Sequence, residues 1–211
     1  SGPALVLLHG FLESASIWDG FSAQLLHDFT VLAIDLPGHG NSEVLSTSHS
    51  MHLMAEAVKA VIQSEGIDSV VIAGHSMGGY VALQFAAENE AMVEGVVLFH
   101  SHAGADSEQA RENRLRTIEI VKKNRGSFIM QFIPDLFDQR HVGKYADEIR
   151  KLQDIASQMS SEAIIAALSG MRERTGQLEF LTGTRIPVMF IIGKQDSRMP
   201  FSQLLQQAEA P

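Results

Sequence analysis

The pentapeptide Gly74-His75-Ser76-Met77-Gly78 constrains this chain more than any other part of its sequence. A short apolar run precedes it at residues 69–73, and a helical pattern follows at residues 77–88. A sharp turn from strand to helix needs residues without bulk on both sides of the serine, which Gly74 and Gly78 supply. Such a turn lifts the Ser76 hydroxyl above the carboxyl edge of a sheet, so the pattern predicts a nucleophilic serine.

Other segments repeat this alternation of strand and helix. Short apolar runs closed by Gly, His, Asp or Pro are typical of strands covered on both faces, and they predict strands at residues 4–8, 30–36, 69–73, 93–99 and 187–192. Between them, helical patterns lie at residues 14–27, 50–65 and 77–88. The alternation predicts an α/β fold with a mostly parallel, doubly wound sheet.

Residues 103–185 differ from the rest of the chain in both pattern and charge. Residues 1–102 contain one basic and eleven acidic side chains, whereas residues 103–185 contain thirteen basic and twelve acidic ones. Their helix-like stretches are residues 111–123, 126–132, 143–157 and 160–174, with no convincing strand among them. We therefore predict a core of residues 1–102 and 186–211 and a helical cap, residues 103–185, inserted after the fourth visible strand.

The first predicted strand is followed by His9-Gly10-Phe11. A tetrahedral oxyanion needs two hydrogen-bond donors, and the N–H of Met77, directly after the serine, would be one of them. The N–H of Phe11 is the natural second donor, because Gly10 lets the backbone approach closely. We predict an oxyanion hole made by Phe11 and Met77.

Taken together, these motifs resemble the α/β-hydrolase superfamily. The resemblance rests on residues 8–11, 35–42, 74–79 and 193–196. It implies a catalytic acid at Asp196, just after the strand at residues 187–192. Asp35 and Asp106 also follow strands, and Asp35 is better explained as anchoring its Pro-Gly turn. It also implies a serine hydrolase of a small ester, lactone or related acyl compound that needs neither metal nor organic cofactor. Carboxylesterases, enol-lactonases, C–C-bond hydrolases and the menaquinone-pathway lyase carry similar motifs, and a non-catalytic binding protein on this fold is a further alternative.

The histidine of the triad departs from the family pattern. The resemblance predicts it roughly 25–30 residues after the acid, but all nine histidines precede Asp196 and the sequence ends at Pro211. We therefore expect a fragment in which both ends of the sheet are missing and the catalytic base is absent. His100 and His102 end the fourth strand, and we expect them to line the pocket rather than to act as the base.

Composition excludes several other classes of protein. The chain has no cysteine and a formal net charge of −9. It therefore has no disulfide or thiolate zinc site, and its charge disfavours binding to nucleic acid or anionic membranes. No apolar run reaches the ~18 residues of a membrane helix. We expect a cytoplasmic protein acting on a small molecule, and the sequence leaves its oligomeric state open.

Overall fold

A parallel sheet forms the centre of the computed structural model, which describes residues 2–196 and 198–210. Five strands within these residues are Ala4–Leu8 (β1), Thr30–Ile34 (β2), Val70–His75 (β3), Val93–Phe99 (β4) and Val188–Ile191 (β5). They pair in the order β2-β1-β3-β4-β5, each parallel to its neighbours. The predicted fold class is confirmed.

Helices connect and cover the strands. Their bounds are Asp19–Ser22 (α1), Met51–Ser64 (α2), Met77–Glu88 (α3), Glu108–Phe132 (α4), Ala146–Gln158 (α5), Ser161–Glu173 (α6), Leu178–Gly183 (α7) and Phe201–Ala208 (α8). The helices α4 to α7 all lie between β4 and β5 along the chain.

The two faces of the sheet bury different side chains. Along β1, Val6 and Leu8 belong to the main core cluster, whereas Leu7 packs with Trp18 and Ala73 in a separate cluster. This alternation follows from strand geometry, in which successive side chains point to opposite faces. It explains why β1 is apolar throughout.

The helix predicted at residues 14–27 is wrong. The structure has a 3₁₀ turn at Ala15–Trp18 and the four-residue α1, followed by turns. Gly20 lies in the middle of the segment and weakens a helix there. Phe21 is 50% exposed and Leu26 is 63% exposed, so a longer helix would have no core surface on which to bury its apolar face.

Two helices predicted on either side of residues 124–125 form a single kinked helix, α4. Asn124 has φ −157° and ψ 83°, outside the helical region. Its Oδ1 accepts a hydrogen bond from the N–H of Ser127 at 3.0 Å, as an N-cap residue does for a new helix. The predicted break is therefore present as a kink.

The fold brings four chain segments to one edge of the sheet. In a parallel sheet the carboxyl ends of the strands share an edge, and ligands of open α/β sheets bind there. Gly10 follows β1, Ser76 follows β3, His100 follows β4 and Asp196 follows β5.

No helix in the described part of the chain is long and apolar enough to cross a membrane.

Candidate active site

Ser76 occupies a strained turn between β3 and α3. Its backbone has φ 50° and ψ −113°, a region that residues with a side chain rarely adopt. Three hydrogen bonds hold the turn. The N–H of Ser76 donates to the Phe99 carbonyl at 3.0 Å, and its carbonyl accepts from the Gly79 N–H at 3.0 Å and from the Ser101 hydroxyl at 2.8 Å. In the described part of the chain, the Ser76 hydroxyl itself has no hydrogen-bond partner.

The two glycines of the turn are required by close backbone approach. A Cβ on Gly74 would overlap the carbonyl of Gly78. A Cβ on Gly78 would lie 2.5 Å from the carbonyl oxygen of Leu8 and 2.6 Å from that of His9. The turn therefore packs directly against the loop that follows β1.

Phe11 and Met77 present the two predicted donors at this junction. Among the described residues neither N–H has a hydrogen-bond acceptor. Met77 begins α3, so its N–H has no partner within the helix, and the positive end of the helix dipole lies beside it. Such N–H groups at a helix start are suited to binding a developing negative charge.

The peptide that contains the Phe11 N–H is fixed by its other end. The Gly10 carbonyl accepts from His9 Nδ1 at 2.8 Å and from the Glu13 N–H at 3.3 Å. His9 Nε2 accepts from the Leu36 N–H at 3.0 Å, and burial lowers the pKa of His9, which keeps the ring neutral. Because the carbonyl and the N–H of a trans peptide point in opposite directions, fixing the carbonyl fixes the direction of the Phe11 N–H.

Asp196 lies just after β5 with both carboxylate oxygens engaged. Its Oδ1 accepts from the N–H groups of Arg198 at 2.9 Å and Met199 at 3.0 Å, and its Oδ2 accepts from His100 Nδ1 at 2.7 Å. Burial alone would raise the pKa of Asp196, but these hydrogen bonds, that of His100 foremost, hold it below its ordinary value. The group is therefore charged near neutral pH.

From the sequence, His100 was expected to line the pocket rather than to act as the base. In the register of β3 and β4, His75 pairs with Phe99. Ser76 directly follows His75 and His100 directly follows Phe99, so both residues come immediately after a pair on adjacent strands. With Nδ1 on Asp196, Nε2 of His100 has no hydrogen-bond partner among the residues described. The sequence places His100 at the carboxyl end of the strand next to the one that carries the serine. That position alone does not show which acid His100 contacts.

The other acidic candidate, Asp106, is engaged by two arginines. Its carboxylate accepts from Arg114 Nε and from Arg174 Nη1, both at 2.5 Å, and only 5% of its side chain is exposed. Burial would raise the pKa of Asp106, but Arg114 and Arg174 hold it below its ordinary value. The guanidinium of Arg174 also lies 3.9 Å from the centre of the Tyr80 ring in α3. Asp106 therefore holds two arginines of the helical segment together, and Arg174 makes the contact with the core.

Removing that charge should destabilise the protein. We expect Asp106→Asn to lower the free energy of unfolding by about 3–5 kcal/mol, because it leaves the guanidinium of Arg174 buried without a carboxylate. Urea unfolding measures the change. Asp147→Asn is the control, since Asp147 and Arg150 are highly exposed and 3.9 Å apart and such pairs contribute about 0–1 kcal/mol. Equal losses in the two variants would contradict the assignment.

The helical segment also contacts the Phe11 loop. Phe132 of α4 meets Phe11 edge-on with ring centres 5.8 Å apart, and the Arg198 guanidinium lies 4.5 Å from the centre of the Phe132 ring. An apolar surface from α4 thus lies directly beside one of the two donors. In residues 2–196 and 198–210, no three histidine or acidic side chains are grouped so that they could hold a metal ion.

Comparisons with known proteins agree with this architecture. The sequence model of the alpha/beta hydrolase fold matches residues 3–210. An esterase from Thermogutta terrifontis superposes with a TM-score of 0.93 at 29% identity, covering 100% of this chain and 78% of that one. The enol-lactonase from Burkholderia xenovorans gives a TM-score of 0.91 at 20% identity, covering 100% and 80%, which shows a shared fold.

Curated relatives differ in how much of the chain they match. An uncharacterized protein of Mycobacterium tuberculosis is 39% identical over 98 residues, which are 46% of this chain and 29% of that protein. The 2-succinyl-6-hydroxy-2,4-cyclohexadiene-1-carboxylate synthase of Yersinia enterocolitica is 28% identical over 219 residues, covering 100% of this chain and 77% of that enzyme.

Proposed function

The chain belongs to the α/β-hydrolase family, and from that premise we propose that it is a serine hydrolase of a small ester, lactone or related acyl compound. The observation that carries the proposal is the backbone of Ser76, held at φ 50° between β3 and α3. A side-chain-bearing residue in such a conformation costs about 1–3 kcal/mol, and residues of this kind concentrate at functional sites. Beside it, the N–H groups of Phe11 and Met77 have no acceptor among the described residues, which supports the same role.

Catalysis would proceed in two acyl-transfer steps. The Ser76 hydroxyl attacks the carbonyl carbon of the substrate and gives its proton to an imidazole, while the Phe11 and Met77 N–H groups bind the oxyanion. The imidazolium then protonates the leaving oxygen and the alcohol departs, leaving an acyl group on Ser76. Water, deprotonated by the same imidazole, attacks the acyl carbon, and the imidazolium returns that proton to the Ser76 oxygen as the carboxylic acid departs.

Asp196 would orient that imidazole and stabilise its charged form. We assign the role of base to His100, because its Nδ1 already contacts the charged Asp196 and its Nε2 is unpaired among the described residues. The family resemblance predicts instead a histidine C-terminal to Asp196.

The helical segment at residues 103–185 would form a cap over the site. Its Phe132 side chain against Phe11 supports an apolar wall on the acyl side of the pocket. The substrate would then be a small molecule whose acyl group is apolar enough to occupy that wall.

Two alternatives rest on other observations. Similarity over the whole chain to the Yersinia enterocolitica synthase supports a lyase or C–C-bond hydrolase that uses the same residues for proton transfer. A non-catalytic binding protein is the other alternative, and the intact turn at Ser76 argues against it.

A fluorophosphonate probe tests the proposed chemistry directly. We expect it to label the purified protein on the peptide that contains Ser76, located by mass spectrometry, because only an activated serine reacts readily with such probes. In parallel, p-nitrophenyl acetate, butyrate and octanoate are assayed beside the substrate of the synthase. Turnover of esters supports the hydrolase, and turnover of the synthase substrate alone supports the lyase. A protein that shows no labelling and no turnover of any of these compounds contradicts both functions.

A further inference from the structure

A buried ion pair connects the two loops that carry the oxyanion donors. His75 Nδ1 donates to Glu13 Oε2 at 2.8 Å, and the N–H of Gly10 donates to the same oxygen at 2.6 Å. The Glu13 side chain is only 7% exposed.

The position of the pair along the chain relates it to both donors. Gly10 directly precedes Phe11. His75 directly precedes Ser76, and Met77 comes next. A Cβ on Gly10 would lie 2.7 Å from Glu13 Oε2 and 2.9 Å from His75 Nδ1, so the glycine provides the space that the pair occupies. One carboxylate oxygen therefore fixes the separation between the loop after β1 and the turn after β3.

Each member of the pair favours the charged form of the other. Burial would raise the pKa of Glu13 and lower that of His75, but their mutual attraction and hydrogen bond hold the pKa of Glu13 below its ordinary value and that of His75 above its ordinary value. The contribution of Glu13 to stability is lost as pH falls through its lowered pKa, and that of His75 as pH rises through its raised pKa. The other titratable groups facing His75 are His9, His100 and Asp196.

We propose that Glu13 and His75 are positioning residues that set the geometry of the Phe11 and Met77 N–H groups toward the oxyanion. The inference rests on the proposed function of Ser76. Two donors from separate loops must hold a small, fixed separation to stabilise one oxygen, and removing one such donor costs about 10²–10³ in kcat. A hydrogen-bonded ion pair between the loops maintains that separation.

The test compares kcat with KM in matched variants. We expect Glu13→Ala to lower kcat for a p-nitrophenyl ester about 10²-fold and leave KM within about twofold, because the oxyanion forms only in the transition state. The inhibition constant of a trifluoromethyl ketone, which binds as an oxyanion, should rise by a similar factor. Glu13→Gln keeps an acceptor oxygen for both hydrogen bonds and should lose less than about tenfold in kcat.

Two further variants keep the outcome interpretable. His75→Leu removes the donor from a side chain that is 26% exposed, and it should reproduce the loss in kcat if Glu13→Ala does not fold. Glu88→Ala is the control, because Glu88 pairs with His52 at the same 2.8 Å but at the far end of α3. Its kcat should equal that of the wild type.

A titration separates failure of this proposal from failure of the proposed function. The NMR pKa of the His75 imidazole should lie above 6.5 in the wild type and fall in Glu13→Gln, whether or not the protein hydrolyses esters. A wild type without esterase activity but with this titration refutes the proposed function and leaves the ion pair established. Unchanged kcat and inhibition constant in both Glu13→Ala and His75→Leu would overturn the positioning role.

Discussion

Replacement of Ser76 by alanine is expected to lower kcat/KM for a p-nitrophenyl ester by about 10⁶-fold and to abolish fluorophosphonate labelling. The hydroxyl is the only group on this turn that would form the acyl-enzyme, so no neighbouring side chain substitutes for it. Thermal unfolding of the variant should match the wild type, because the Ser76 hydroxyl has no hydrogen-bond partner in the described residues.

Replacement of Ser76 by glycine gives a second, independent test. Ser76→Gly should be equally inactive but more stable by about 1 kcal/mol, because glycine adopts φ 50° without the steric cost that serine bears. Ser64→Ala, on an exposed turn of α2, is the control and should leave both quantities unchanged. Retained turnover in Ser76→Ala would exclude the nucleophile assignment, and a destabilised Ser76→Gly would exclude strain at this residue.

Strands and the turn at Ser76 were predictable because their causes are local. Residues 4–8 are continuously apolar, residues 93–99 are apolar except for Glu94 and Gly95, and a histidine follows each run. The strands β1 and β4 begin and end there. The turn needs glycines on both sides of the serine, and the steric reason is visible in the packing of Gly78 against Leu8. Such features depend on a few consecutive residues and the nature of the sheet.

The helix predicted at residues 14–27 was wrong because periodicity alone does not show whether a surface is available. Its apolar side chains include Phe21 and Leu26, both of them exposed in the structure. Instead, Asp35 accepts a hydrogen bond from the Ala15 N–H at 2.7 Å and ties this segment to the turn after β2. That contact spans twenty residues, and helical periodicity contains no information about it.

The sequence did not predict the partners of the histidines, because these contacts also join residues far apart along the chain. His75 contacts Glu13, 62 residues away, and His100 contacts Asp196, 96 residues away. A family motif predicts Asp196 as the catalytic acid, but the pairing of His100 with it depends on the order β3-β4-β5 in the sheet. Two histidines that differ little in sequence context thus meet two different carboxylates.

His100→Gln and Asp196→Asn should each lower kcat/KM by about 10⁴-fold or more. Glutamine cannot accept the Ser76 proton, and asparagine cannot stabilise an imidazolium, so both variants should also lose fluorophosphonate labelling. His52→Gln is the control, because His52 pairs with the carboxylate of Glu88 away from the site. Its activity should be that of the wild type.

The pattern of losses assigns the base. Loss in both variants is the expected result, since Asp196 Oδ2 is bound to His100 Nδ1 at 2.7 Å and its Oδ1 to two backbone N–H groups. If Asp196→Asn loses activity while His100→Gln retains it, Asp196 orients a different imidazole, as the family resemblance predicts, and His100 only lines the pocket. If both retain activity, Asp196 is not the catalytic acid. Labelling rates measured between pH 5 and pH 9 complete the test. In the wild type the rate should fall at acidic pH because the imidazole is protonated there, and a variant without the base should not show this fall.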